Sequence, residues 1–374
     1  MPDIPGANSS LQKLLEARSA PGALTQPLVD GAVRCVACGH RCYLPDGKIG
    51  ICKVRFNRGG VLHVPRGYVA ALQCDPVEKK PFFHAPPGAL ALSFGMLGCD
   101  YHCGYCQNWL TSQALRDPVA GAPPRPCTAE QIADLALAQG AEVVASTYNE
   151  PLITSEWAVE VFRACKARGL TTAYVSNGNA TPEVLEYLRP WVDLYKVDLK
   201  GFNDKQYRKL GGTLETVKDT IRRLVAMQFL VEVVTLVVPG FNDSEDELRQ
   251  IATFLASVSA NIPWHVTAFH PDYKMADRNA TTAETLRRAV AHGRAAGLHY
   301  VYAGNLPGHV GRYENTHCPQ CDQAVVERHG YRILGVHLDA GCCNACGTRI
   351  PGRWGNGGAP AQRRHVWMPR AIAF

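Results

Sequence analysis

Cys99, Cys103 and Cys106 fall in one short run, GCDYHCGYCQN, with C-x3-C-x2-C spacing and an aromatic residue, Tyr105, directly before the last cysteine. Three thiolates on one loop can hold three corners of a [4Fe-4S] cube and leave the fourth iron open to a substrate or cofactor. The competing chemistry is a zinc site completed by His102. Structural zinc sites usually assemble from two separated knuckles, and a single short loop frames them poorly. The spacing therefore predicts a cluster.

Two further cysteine groups flank that loop. Cys318-Pro-Gln-Cys321 and Cys343-Asn-Ala-Cys346 are C-x2-C knuckles at zinc-ribbon spacing, with Gly347 available for the tight turn and Cys342 spare. An auxiliary iron–sulfur cluster is the alternative there. Cys35, Cys38, Cys42 and Cys52, spaced C-x2-C-x3-C-x9-C, are less regular and stay open to zinc or an auxiliary cluster. Cys74, Cys127 and Cys165 stand alone. Fifteen cysteines grouped this tightly predict metal rather than a disulfide framework, and the N-terminal MPDIPGANSS carries no basic-then-apolar signal pattern.

These loops need a scaffold. With 374 residues, 46% hydrophobic and 19% charged, the chain can bury a large core and carry appended modules. A net charge of +6 is too diffuse to argue for nucleic acid, and Arg363, Arg364 and Arg370 in the tail are too sparse to change that. The longest apolar runs, at 89–97 and 231–238, fall well short of a membrane span, so a soluble, cytoplasmic protein is expected. Residues 1–30 read as a flexible lead-in with a short amphipathic stretch at 11–15, and 31–85 as a Cys-rich N-terminal module. Short apolar strands are expected over 90–95, 142–147, 171–176, 194–198, 231–238, 264–269 and 299–302. Helices are expected over 128–139, opened by a Thr-x-x-Gln capping signal, and over 155–168, 244–257 and 281–296. Repeated β-α units predict a parallel α/β sheet, open or closed as a barrel, over 86–311, followed by a Cys/Gly/Pro-rich C-terminal module over 312–374.

The central run resembles the C-x3-C-x-aromatic-C motif of the radical SAM superfamily. That resemblance implies a partial (β/α)6-type barrel in which the open iron binds S-adenosylmethionine and an electron from the cluster yields a 5′-deoxyadenosyl radical. Motifs at successive strand ends match in order. Thr147-Tyr148-Asn149-Glu150-Pro151 resembles the superfamily's Gly-Gly-Glu-Pro turn, with Tyr148 and Asn149 where the glycines stand, and implies Glu150 for the SAM ammonium. Ser176-Asn177-Gly178-Asn179 resembles the activase Thr-Asn-Gly turn and implies Ser176 and Asn177 at the ribose. Asp198-Leu199-Lys200 resembles the Asp-Leu-Lys of glycyl-radical activating enzymes and implies a cation for the SAM carboxylate; alternation puts Asp198 and Lys200 on one side of the strand. Pro239-Gly240-Phe241-Asn242-Asp243 resembles the stretch shaping the adenine pocket, with Val234 where activases carry arginine. His270, after the sixth strand, is a candidate for adenine or substrate, and Tyr302-Ala-Gly-Asn305 a candidate rim of the substrate pocket.

The cysteine groups, Asp75-Pro-Val-Glu-Lys-Lys-Pro81 and Ile350-Pro-Gly-Arg-Trp354 together resemble the radical SAM enzyme of the AmmeMemoRadiSam system, whose core is similar to pyruvate formate-lyase activating enzymes. The partners so implied are Memo-like and AMMECR1-domain proteins, with a flavodoxin or ferredoxin-type electron donor. The expected function is hydrogen abstraction with SAM on an unidentified substrate. The alternatives are a glycyl-radical activase acting on a protein glycine, which generally lacks the ribbon-like tail, and a non-catalytic metal-binding adaptor, which would not need the SAM-type turns.

Overall fold

The computed structural model describes residues 5–355 and 370–371. Arg363 and Arg364 lie outside the described residues. At its centre is one open sheet. Its strands are β1 (Ala71–Pro76), β2 (Leu90–Gly95), β3 (Val143–Ser146), β4 (Thr171–Ser176), β5 (Leu194–Asp198), β6 (Leu230–Val237), β7 (Trp264–Ala268) and β8 (Val301–Gly304). Strands β2 to β8 follow one another in spatial order and pair in parallel, which is the expected α/β partial barrel with seven parallel strands. β1 adds antiparallel to β2, and Arg370–Ala371 adds antiparallel to β1. The Cys-rich stretch 31–85 thus lends its last strand to the main sheet.

The crossovers are helices α1 (Ala129–Ala138), α2 (Ser155–Lys166), α3 (Pro182–Leu188), α4 (Asp204–Leu210), α5 (Leu214–Ala226), α6 (Glu245–Val258) and α7 (Ala283–Ala295). α1 starts where the capping box predicts, with Thr128 Oγ1 accepting from Gln131 N at 3.1 Å and Gln131 Oε1 accepting from Thr128 N at 2.8 Å. Gly140, Gly169 and Gly297 end α1, α2 and α7 in the left-handed region. Helices α3, α4 and α5 go beyond those expected; α5 carries Leu214, Val217, Ile221 and Leu224 on one buried face behind an N-cap at Thr213.

The inner face of the sheet follows from strand alternation. On β5, Leu194, Lys196 and Asp198 share that face, and on β6 Leu230, Glu232, Val234 and Leu236 do. At the lower end the segment 77–89 crosses it, packing Val77, Phe82, Ala85 and Ala89 against Ala91, Val143, Ala145, Ala173 and Leu194. Toward the C-terminal strand ends the same face opens into a cleft.

Residues 5–27, expected to be flexible, form a helix, Pro5–Glu16, and two strands, Ser19–Pro21 and Thr25–Pro27. Ser19–Pro21 pairs with Val61–Pro65 and Thr25–Pro27 with Val33–Cys35. Backbone pairing with the Cys-rich module, invisible in the local sequence, orders them. At the other end, the C-terminal module lays Cys318, Val325, Cys343 and Ile350 on Tyr300, Tyr302 and Phe83, covering the sheet beside β8. No helix among the described residues is long and apolar enough to cross a membrane, and none of the fifteen cysteines forms a disulfide.

Candidate active site

The loop after β2 carries the three central cysteines into a cleft of about 390 Å³. Chemistry at the C-terminal ends of parallel strands follows from the architecture, because the loops there converge on the barrel axis. Cys99, Cys103, Tyr105 and Cys106 line the cleft with Asn149, Glu150, Ser176, Asn177, Asp198 and Lys200. Those ten residues are brought together from four separate strand ends. His270 is not among them. β7 ends at Ala268, so alternation no longer directs the side chain, and His270 is exposed with its ring against the Gln107 amide at 3.1 Å. His102 also lies outside the cleft, its ring beside Gly211, so it does not complete a zinc site with the three cysteines.

The thiols are held by donors. Tyr101 N donates to Cys99 Sγ at 3.3 Å, Ser112 Oγ lies 3.2 Å from Cys106 Sγ, and the Asn108 peptide N–H also faces Cys106. Burial pushes the Cys103 thiol up to about 12, partly offset by Lys200. Without metal the thiols are neutral; an iron centre would displace their protons. The three sulfurs do not converge to the separation a single ion needs, whereas a cubane spreads its ligands around a four-iron core. The donor set fits a [4Fe-4S] cluster. Arg116 fixes the loop, donating to Cys99 O at 2.7 Å, Tyr101 O at 3.2 Å and Ile51 O at 2.6 Å.

Glu150 is buried. Its Oε1 accepts from Ser176 Oγ at 2.7 Å and Leu152 N at 3.1 Å, and its Oε2 from Asn177 N at 2.7 Å. Burial, followed by the nearby Asp100 carboxylate, pushes its pKa up to about 8 despite those donors. Asp100 accepts from Asn177 Nδ2 at 2.8 Å and Asn179 Nδ2 at 2.9 Å, which locks the 176–179 turn onto the cysteine loop. Asp198 lies between two lysines, bonded to Lys196 and, at 3.3 Å, to Lys200. Burial alone would raise its pKa; the two ammonium groups bring it down to about 2. Tyr105 is buried with its hydroxyl unpartnered, and its ring meets Phe241 edge-on at 5.4 Å. These features leave an anionic and a cationic group, an amide-rich turn and an unused aromatic hydroxyl around one space, which suits a zwitterionic nucleoside such as SAM.

Tyr148 stands in the left-handed region at φ +70° where the superfamily turn has glycine. Room for it comes from β2: a Cβ on Gly95 would lie 2.4 Å from Thr147 O and 2.8 Å from Tyr148 Cβ. The turn is held by Thr111 Oγ1, which donates to Tyr148 O at 3.0 Å. The Tyr148 hydroxyl donates to Gln73 Oε1 at 3.1 Å and accepts from Lys80 Nζ at 3.2 Å, while Lys80 pairs with Asp75 at 2.8 Å.

The far wall of the cleft is Lys80, Tyr148, His265, Tyr302, Asn305 and Tyr331. Glu232, on the floor, bonds His265 Nε2 at 2.6 Å and accepts from Phe83 N and His84 N. Sequence reasoning missed Lys80, Lys196, Asp100 and His265. Lys196 was readable from its period-two relation to Asp198, and Asp100 from its place after Cys99; the other two depend on tertiary contact alone.

The outlying cysteine groups differ from each other. Cys318 Sγ and Cys346 Sγ are 3.5 Å apart, Cys321 Sγ and Cys343 Sγ 3.7 Å, and all four sulfurs lie within 4.8 Å of one another. A tetrahedral zinc bonded at ~2.3 Å sets sulfur separations of about 3.8 Å, so this group is ion-sized. Cys35, Cys38, Cys42 and Cys52 are neighbours beside the central loop but are not drawn together to that spacing.

The family model described as the Radical SAM superfamily matches residues 95–255. An uncharacterised protein of Methanocaldococcus jannaschii is 36% identical over 329 residues, covering 87% of this chain and 97% of that one. The pyruvate formate-lyase 1-activating enzyme of Escherichia coli is 27% identical over 223 residues, covering 54% of this chain and 87% of that one. A solved domain of a pyruvate-formate lyase-activating enzyme from Bacteroides vulgatus, 19% identical, aligns with TM-score 0.39 over 43% of this chain and 98% of that one.

Proposed function

This chain belongs to the radical SAM superfamily, and on that premise we propose that it abstracts hydrogen from a small organic substrate bound at the far wall of the cleft. Cys99, Cys103 and Cys106 would hold a [4Fe-4S] cluster, which would supply the electron for reductive cleavage of SAM. The chain's own residues position and shield. Glu150 offers a carboxylate to the SAM ammonium, Lys200 a cation to its carboxylate, and the 176–179 turn polar groups to the ribose. Asp198 keeps the two lysines in place and stays ionised at neutral pH. The observation that carries the reading is continuity: one cleft runs from the three cysteines past Glu150, Asn177 and Asp198 to Lys80, Tyr148 and Tyr302.

A glycyl-radical activase is the second reading, favoured by relatives such as the Escherichia coli activating enzyme. Against it, Tyr331 of the C-terminal module reaches the cleft wall and narrows the approach a protein loop would need. The ion-sized C-terminal sulfurs support zinc there. The grouping of the cysteines at metal-ligand spacing supports a reducing compartment, the cytoplasm. Membership of the AmmeMemoRadiSam system, with Memo-like and AMMECR1-domain partners and a flavodoxin or ferredoxin-type donor, rests on the motifs quoted from the sequence.

The test is anaerobic purification, addition of SAM and dithionite, and assay of 5′-deoxyadenosine. Its formation is expected; a chain with a full cluster complement that forms none overturns the reading.

A further inference from the structure

Beside the central loop, Cys35, Cys38 and Cys52 are buried and Cys42 is half-buried, all on one compact N-terminal fold. Cys35 N donates to Cys42 O at 3.0 Å. A Cβ built on Gly50 would stand 3.7 Å from both Cys42 Sγ and Cys52 Sγ, so the glycine leaves a space flanked by those two sulfurs. Peptide N–H groups face the thiols: His40 toward Cys38, Ile51 toward Cys42, Val54 and Arg55 toward Cys52. Backbone donors aimed at sulfur stabilise thiolates and tune clusters.

Two observations distinguish the metal. First, no three of these sulfurs come mutually within the 4.8 Å that the C-terminal four achieve. The wider arrangement is shared with Cys99, Cys103 and Cys106, the set that fits a cubane. Second, Arg55 is fully buried beside Cys35 and Cys52. Its two Nη atoms are used by Glu156 at 2.7 and 2.8 Å and by Ile153 O at 3.1 Å, but its Nε–H is buried without a partner. A buried orphan donor costs free energy unless something accepts from it. A four-thiolate cubane is anionic and presents sulfur acceptors on its surface.

We propose that Cys35, Cys38, Cys42 and Cys52 hold an auxiliary [4Fe-4S] cluster, with the Arg55 Nε–H directed at one of its sulfurs. This cluster adjoins the first. His40 Nε2 lies 3.3 Å from Asp100 O, Arg116 ties Ile51 O to Cys99 O, and a Cβ on Gly98 would lie 3.2 Å from Cys52 O. The site stands apart from the SAM-cleavage reading, because its ligands are a separate set.

The test uses the full chain, reconstituted anaerobically with iron and sulfide. Cys99→Ala/Cys103→Ala/Cys106→Ala should retain about half of the wild-type iron and acid-labile sulfide, with a cubane Mössbauer signature. Adding Cys38→Ser and Cys52→Ser should remove the remainder. A natively folded triple variant without iron, or one whose zinc is lost with Cys38→Ser and Cys52→Ser, overturns the proposal. If the triple variant does not fold, Cys38→Ser alone decides. Loss of half the iron supports the auxiliary cluster, and unchanged iron, with or without a loss of zinc, refutes it. Failure of SAM cleavage leaves each of these readouts intact.

Discussion

Ser176 Oγ donates to Glu150 Oε1 at 2.7 Å, so the first SAM-type turn and the second are joined through one buried carboxyl. Its pKa near 8, set by burial and then Asp100, has a definite consequence. Between the ordinary carboxyl range and pH 8 the folded chain holds a proton that the unfolded chain has released. Stability therefore falls as pH rises through that window. The cofactor-free protein should lose thermal stability from pH 5 to 8, by a few kcal/mol at most, and Glu150→Gln should flatten the dependence. An unchanged slope in the variant refutes the assignment. A bound ammonium would lower this pKa, so SAM binding at pH 7 should release a proton, measurable by calorimetry in buffers of different ionisation enthalpy.

Gly95→Ala is the sharper probe of the turn geometry. The added methyl would sit 2.4 Å from Thr147 O, and neither the strand nor the turn can yield without moving Glu150. A destabilisation of about 1–3 kcal/mol is expected, with SAM affinity falling tenfold or more while the cysteines still bind iron. Equilibrium dialysis of SAM against iron content separates the two effects; equal SAM affinity would contradict the packing argument.

The same pair of residues shows where sequence stopped being legible. The superfamily glycine is replaced by Tyr148, and the compensating glycine sits on the neighbouring strand, which no local motif reveals. The spacing of Cys99, Cys103 and Cys106 is local in sequence, and the convergence of Glu150, Asn177 and Asp198 on the same cleft follows from their places at strand ends. Lys80 and His265 were not, because Lys80 reaches Tyr148 across the β1, β2 and β3 edge and His265 acquires Glu232 only through sheet pairing. The pattern of α5 was present in Leu214, Val217, Ile221 and Leu224, yet an apolar stripe among so many charges is easily read as loop. His270 lies outside the cleft lining because its strand ends two residues earlier.

Arg328 reports on docking of the C-terminal module. It is fully buried over the Phe83 ring at 4.2 Å, donates to Thr316 Oγ1 at 2.8 Å and Phe83 O at 2.9 Å, and faces Glu78 at 3.9 Å. Removing it leaves Glu78 buried without its countercharge. Arg328→Ala should cost about 3–5 kcal/mol, seen as a lower denaturation midpoint. Arg328→Ala/Glu78→Gln should recover part of the loss. A single variant as stable as wild type would mean the module does not rest on this contact.

Substitution of one cysteine from each of two groups separates chemistry from architecture. Cys103 is buried in the central loop and lines the cleft, so Cys103→Ser should abolish 5′-deoxyadenosine formation and remove one cluster's iron, with the fold retained. Cys321 lies in the ion-sized group on the C-terminal module, outside the cleft. Cys321→Ser should release bound zinc and lower the unfolding temperature. Because Tyr302 and Phe83 pack on that module, a modest loss of rate should accompany it, restored by cooling. The comparison rests on ratios: metal per chain, product per iron and unfolding midpoint in the two variants. If Cys321→Ser eliminates product at low temperature while iron is full, the C-terminal group takes part in the chemistry and the two groups do not divide the work.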